Sequence, residues 1–277
     1  MFGDLRPVVR KFVGLNSETK ARASLRRVWP SSYSTDAPAF VHAGAWKTAS
    51  QWVRLVLSDP RLFSCHDFVP MDPKARGIGV KPMFLSQHRG PSSIEVIRSA
   101  SLESFSGVYV FREPVAQARS WYVSTRYTHP LTPTIIDIRS RLEGLCDVEA
   151  MQLFLAEYYD SVVDPIEGWS RFEGSGRMVP IQFENLVGDP TATLHCALNV
   201  AGWELEKSRL QRVVGSYRLE RFRPRFNFGS KKYLRETVSD ADLPMSAVDE
   251  VVRNLRPDVF DLFEDLQAKS RAFLGES

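Results

Sequence analysis

Apolar positions along this chain follow two rhythms. Short, nearly continuous runs of strand length occur at Ala39–Ala43 (AFVHA), Val80–Ser86 (VKPMFLS), Gly107–Phe111 (GVYVF) and Met178–Phe183 (MVPIQF). Between and after them, apolar residues recur three and four apart, as on one face of a helix. These stretches are TASQWVRLVLSD from Thr48, SSIEVIRSA after Pro91, EPVAQARSWYVS from Glu113, VEAMQLFLAEYYDSVV from Val148, and DPTATLHCALNVAGW from Asp189. Two more lie in the tail, Ala247–Leu255 and Val259–Phe273. Pro114 suits a first helical turn, where a missing N–H costs little. Asp189 followed by Pro190 reads as a helix start, and Gly202 as its end. Strands alternating with helices predict right-handed crossovers and a mostly parallel central sheet flanked by helices, an α/β fold. The Pro- and Ser-rich stretch Trp29–Pro38 reads as a loop. It separates an N-terminal segment, 1–37, from one domain over 38–277, with a helical insertion near 131–176.

Composition narrows the function classes. Apolar residues make up 43% and charged residues 25%, which is ordinary for a folded domain. No run approaches the ~18 apolar residues of a membrane span. Thirty-six Lys and Arg against 33 Asp and Glu leave a net charge of +3, too little to argue for nucleic acid. The three cysteines, Cys65, Cys146 and Cys196, form no metal or redox pattern and fit a reducing, cytoplasmic setting. Near the N-terminus Phe2, Leu5, Val9, Phe12 and Val13 alternate with Arg6, Arg10 and Lys11. That pattern fits a helix packed on the domain or one touching a membrane surface.

In a parallel sheet, ligands bind beyond the carboxyl ends of the strands. HAGAWKTASQW lies at such an end and carries Lys47, Thr48 and Ser50 into a helix start. Helix N-termini offer free N–H groups and a partial positive charge to phosphates. The ATP and GTP loop signature fails, because Val41 and Trp46 stand where it needs glycines.

As a whole the segment resembles the 5′-phosphosulfate loop of sulfotransferases, typically Pro-Lys-Ser-Gly-Thr-Thr-Trp. Lys47, Thr48, Ala49, Ser50, Gln51 and Trp52 fall on it in register, with Trp46, Ala49 and Gln51 as departures. The family's second motif is a strand ending in Arg with a Ser eight residues on, and Arg112 and Ser120 have that spacing. IQFENLVGDPTATL resembles a third motif, a strand end followed by a helix. The resemblance implies a single P-loop-like domain that takes a sulfuryl group from 3′-phosphoadenosine 5′-phosphosulfate (PAPS). It implies that Lys47 and residues 48–52 hold the 5′ end, and Arg112 and Ser120 the 3′-phosphate. Trp52, Phe183 and Tyr217 are implied to contact adenine. In the tail, Gly229 keeps the register of a further motif whose basic pair is replaced by Asn227 and Phe228. Arg221, Arg223, Arg225, Lys231, Lys232 and Arg235 surround it, any of which is a candidate for the 3′-phosphate.

The acceptor, a hydroxyl or amine, must lose a proton, so a general base is expected. His88 follows a strand between the two cofactor segments, where the family places its base. His42 is the rival, and a carboxylate stays open; His66, His129 and His195 are less well placed. The loop from Phe68 to Val80 and the insertion are expected to shape the acceptor pocket. Trp121, Tyr122, Tyr127, Phe154, Tyr158 and Tyr159 either line that pocket or fill the core. A small molecule, carbohydrate or lipid would serve as acceptor, and oligomeric state is left open. A nucleotide kinase and a non-catalytic nucleotide-binding domain are the competing readings.

Overall fold

A computed structural model describes residues 39–57, 59–63, 84–87, 105–129, 131–171, 177–203, 205–217 and 242–275. The N-terminal segment, His66, His88, the helix expected after Pro91, Gly229 and the basic cluster around it lie outside these residues. The elements, in chain order, begin with strand β1 (Ala39–Gly44), helices α1 (Ser50–Leu57) and α2 (Pro60–Phe63), and strands β2 (Phe84–Gln87) and β3 (Phe105–Phe111). Helix α3 (Pro114–Val123) runs into a π-helical turn, Ser124–Thr128. Then come α4 (Pro133–Arg141), α5 (Asp147–Tyr158), α6 (Asp160–Ser170), β4 (Arg177–Gln182), α7 (Phe183–Gly188) and α8 (Pro190–Val200). Helices α9 (Lys207–Ser216), α10 (Met245–Leu255) and α11 (Asp258–Leu274) complete the order.

The strands pair in the order β2-β1-β3-β4, all parallel. Alternation along β3 assigns its side chains to two cores. Tyr109 and Phe111 join Val41 and Ala43 of β1 on one face, under α3, α5, α6, α10 and α11. Val108 and Val110 join Val179 and Ile181 of β4 on the other, under α1, α8 and α9. A parallel sheet covered on both faces explains why the strands read as continuous apolar runs. Pro180 sits in β4, which has a pairing neighbour on one side among the described residues, where a missing N–H is tolerated.

Three expectations change in detail. The stretch from Val148 is two helices meeting at Tyr159, not one. Pro165 lacks the N–H that would reach the Ser161 carbonyl, so the ladder opens over that turn. Phe183 opens α7 instead of closing the strand before it. Most of the aromatics offered to an acceptor pocket are core: Trp121, Tyr122, Phe154 and Tyr159 are buried. Trp121 meets Phe154 edge-on at 4.7 Å. Among the described residues no helix is long and apolar enough to cross a membrane.

Candidate functional site

The strand order creates one distinctive place. After β1 the chain crosses to β2 on one side, and β3 and β4 then extend the sheet on the other. The carboxyl ends of β1 and β3 therefore flank a crevice where the connections diverge, the position at which such sheets hold ligands. Both segments singled out by sequence leave the sheet there.

The first is the loop from β1 to α1. Lys47 and Ala49 both take left-handed backbone, at φ 68° and 55°. Each such residue with a Cβ costs about 1–3 kcal/mol, so the surroundings must hold the shape. They do so through carbonyls. The Thr48 hydroxyl donates to the Ala45 carbonyl at 2.7 Å. Gln117 of α3 donates to the Trp46 carbonyl at 2.9 Å, and Arg112 Nη1 to the Lys47 carbonyl at 3.3 Å. Ala49 then starts α1 by accepting from the amides of Trp52 and Val53. The first turn of α1 carries no acidic residue, so its positive end is not neutralised from within. Gly44 suits this closeness: a Cβ there would stand 3.1 Å from Thr48 Oγ1 and 3.3 Å from the Ser50 Cβ, so both would have to give way slightly.

The second segment is β3 into α3. Glu113 caps α3, its carboxylate accepting from the amides of Val115 and Ala116 at 2.9 and 2.6 Å. That helix end is therefore occupied by its own carboxylate. What this segment offers to a ligand is side chains: Arg112 ahead of the helix and Ser120 on its second turn.

Lys47, Arg112 and Ser120 line one cleft of about 390 Å³. Ala116, Arg119, Val123, Ser124, Thr128 and Met245 complete its described wall. Three cations and three hydroxyls face this space, and among the described residues no carboxylate lines it. Burial, and secondarily the Arg112 charge, push the Lys47 ammonium below the usual lysine range. Burial also lowers Arg112, against the pull of Glu184 and Glu113. Arg112 Nε is buried without a hydrogen-bond partner, the Glu184 carboxylate standing 3.8 Å away. Desolvated cations with a donor unspent suit a ligand carrying several negative charges. The residues present thus fit a nucleotide with phosphates at two positions.

The other expected site residues are distributed as follows. Thr48 and Ser50 are buried beneath the loop, and Ala49 is half-buried against the second core. Gln51 is half-buried, with its Oε1 enclosed and unbonded. Phe183 is half-buried, with the Arg112 guanidinium over its ring at 4.5 Å. Trp52 offers no face to adenine: it is wholly buried in the second core, and its Nε1 donates to the Tyr217 carbonyl at 2.5 Å. Tyr217 is half-buried and donates its hydroxyl to Asp59 at 2.7 Å. His42 is wholly buried on the β1 face that meets the second core, below Gly44. His129 is half-buried, edge-on to Trp46 with centroids 6.3 Å apart. His195 lies on α8 with Nε2 3.0 Å from the Leu205 carbonyl. Sequence reasoning missed Gln117, Arg119, Ser124, Thr128 and Met245. Four of these belong to α3 and its π-turn, and the spacing 116, 119, 120, 123, 124 was a readable signal for one helix face.

A family model described as a sulfotransferase domain matches residues 81–241. No curated protein matches the chain. Among solved structures, the mouse sulfotransferase SULT7A1 complexed with PAP shares 14% identity at a TM-score of 0.50, covering 88% of this chain and 90% of that one. A sulfotransferase from Alicyclobacillus acidocaldarius shares 16% identity at 0.42, covering 88% and 98%. Retinol dehydratase in complex with androsterone and PAP shares 12% at 0.42, covering 74% and 70%.

Proposed function

The chain belongs to the sulfotransferase domain family, and from that premise we propose how its residues divide the work of PAPS-dependent sulfuryl transfer. PAPS, when bound, supplies the sulfuryl group that passes to an acceptor oxygen or nitrogen, leaving PAP. Family membership sets the kinase and the non-catalytic domain aside. The observation that carries the division is that Lys47, Arg112 and Ser120, from two separate chain segments, line a single cleft at the strand crossover.

Lys47 holds a positive charge at the 5′ end, where negative charge grows on the leaving phosphate. In a partly desolvated site such a charge is worth far more than in water. Thr48, Ala49, Ser50 and Gln51 shape the loop and the α1 start that receive the same end. Arg112 and Ser120 take the 3′-phosphate, the guanidinium offering paired donors that match phosphate oxygens. Phe183 and Tyr217 flank the adenine, with Trp52 fixing the backbone of Tyr217. Gly229, outside the described residues, closes over the same end. His88, also outside them, takes the acceptor's proton; His42, enclosed on the core side of β1, supports the loop. The acceptor is a small molecule bearing a hydroxyl or amine, residues 38–277 act as one domain, and the setting is cytoplasmic.

The test is a purified-protein assay with isotopically labelled PAPS and, in parallel, labelled ATP, over a panel of phenols, alcohols and amines. Transfer of label from PAPS alone is expected. Lys47→Ala should keep its melting temperature and lose at least ~10²-fold in turnover. Turnover within about threefold of wild type would remove Lys47 from the chemistry.

A further inference from the structure

We propose that Arg119 is a third cation of the nucleotide site and binds the 3′-phosphate together with Arg112 and Ser120; this rests on the PAPS assignment above. Helix α3 turns a single face to the cleft, with Ala116, Arg119, Ser120, Val123 and Ser124 at helical spacing. Arg119 and Ser120 flank the middle of that face, and both line the cleft. The Arg119 Nε donates to the Leu243 carbonyl at 3.2 Å, which anchors the side chain at the cleft wall. Leu243 lies just ahead of α10, whose first residue, Met245, also lines the cleft.

Charge accounting gives the site its meaning. A phosphate monoester carries about −1.5 to −2 at neutral pH. PAP has two of them, and the cleft meets them with Lys47, Arg112 and Arg119 and no described carboxylate. Among the described residues, with Lys47 at the 5′ end, Arg112 and Arg119 are the cations of the cleft left for the 3′-phosphate. Arg119 reaches the cleft from the same helix as Ser120, the hydroxyl already assigned there. The competing role is mechanical: Arg119 would merely brace α3 against the Leu243 turn. A brace serves every nucleotide alike, whereas a phosphate ligand discriminates by the 3′-phosphate.

Calorimetric titration with PAP and with 5′-AMP, which lacks the 3′-phosphate, separates the two on wild type, Arg119→Gln, Arg119→Lys and Arg112→Gln. The ratio of the two affinities within one variant is insensitive to the fraction of active protein. Arg119→Gln should weaken PAP by about 10- to 100-fold, the range for one charge-assisted contact, and change 5′-AMP by less than about twofold. Arg119→Lys should recover part of the ratio. Equal losses for both ligands, or an unchanged PAP affinity, would overturn the role of Arg119. If the ratio then still collapses in Arg112→Gln, the 3′-phosphate assignment itself stands. Absence of any preference for PAP in wild type would overturn both.

Discussion

At the scale of single residues, the loop after β1 shows what the site costs the fold. Lys47 and Ala49 both hold positive φ, and hydrogen bonds to the carbonyls of Ala45, Trp46 and Lys47 help to keep them there. Of the two, Ala49 offers the cleaner test of this strain, because its side chain is a single methyl packed on the second core. Glycine adopts this backbone without a Cβ penalty. Ala49→Gly should therefore raise stability by up to about 1 kcal/mol, the relief of strain exceeding the extra freedom of the unfolded chain. Denaturant midpoints of the two proteins measure it; a less stable Ala49→Gly would mean the methyl's packing on the second core outweighs the strain. The sequence signalled this residue through its departure from the glycine of the resembled motif. It held no sign of Gln117, because a side chain that clamps a distant carbonyl leaves no local pattern.

At the scale of elements, a buried carboxylate ties α1 and α2 to the end of α9. Asp59 Oδ1 accepts from the Arg61 amide and Nε at 2.8 and 2.9 Å, and Oδ2 from Arg61 Nη2 and the Tyr217 hydroxyl at 2.9 and 2.7 Å. Arg61 Nη1 also donates to Ser216 at 3.0 Å. Burial by itself would raise the Asp59 carboxyl, but the hydrogen bonds from Arg61 and Tyr217 outweigh it and hold the group below its ordinary value. A carboxyl lowered on folding stabilises the native state above its unfolded pKa, near ~3.9, and that stabilisation fades as pH falls through the folded value. Asp59→Asn should cost about 1–3 kcal/mol at neutral pH, and the gap to wild type should narrow in acid below about pH 4. Thermal melts across that range test it, and equal melting temperatures at neutral pH would refute the link. Of the helices joined here, α1 was legible from its apolar spacing, whereas α2 and α9 were not read from sequence. The bridge was not legible either, because Asp59 and Tyr217 are 158 residues apart, and the resemblance pointed to Tyr217 for adenine and not for a carboxylate.

For the whole molecule, everything depends on how closely β1 and β3 approach. Gly107 pairs with Val41, and a Cβ at Gly107 would stand 1.8 Å from the Val41 carbonyl oxygen. Gly107→Ala should destabilise the protein by about 3 kcal/mol or more, because the clash is with backbone and cannot relax by rotating a side chain. Urea unfolding measures this, and a loss under about 1 kcal/mol would show that the strands can part. The α/β class and the parallel sheet followed from strand-length runs, and the pairing of Lys47 with Arg112 and Ser120 from the family resemblance. The strand order did not. It is set by which faces can be covered on both sides, a property of the assembled layers that no window of sequence contains.

The π-turn after α3 works as a slip of phase. His129 N–H reaches back five residues to the Ser124 carbonyl at 2.5 Å. On a regular helix Tyr122 and Tyr127 would point about 140° apart, at ~3.6 residues per turn. Here both hydroxyls donate to the same oxygen of Asp147, each at 2.6 Å. One helix thus keeps two clocks, a regular one up to Val123 and a slipped one beyond it, and Asp147 at the start of α5 reads a tyrosine from each. The extra residue absorbs the difference in angle, so α5 is held from both sides of the slip while the upstream wall keeps its helical spacing.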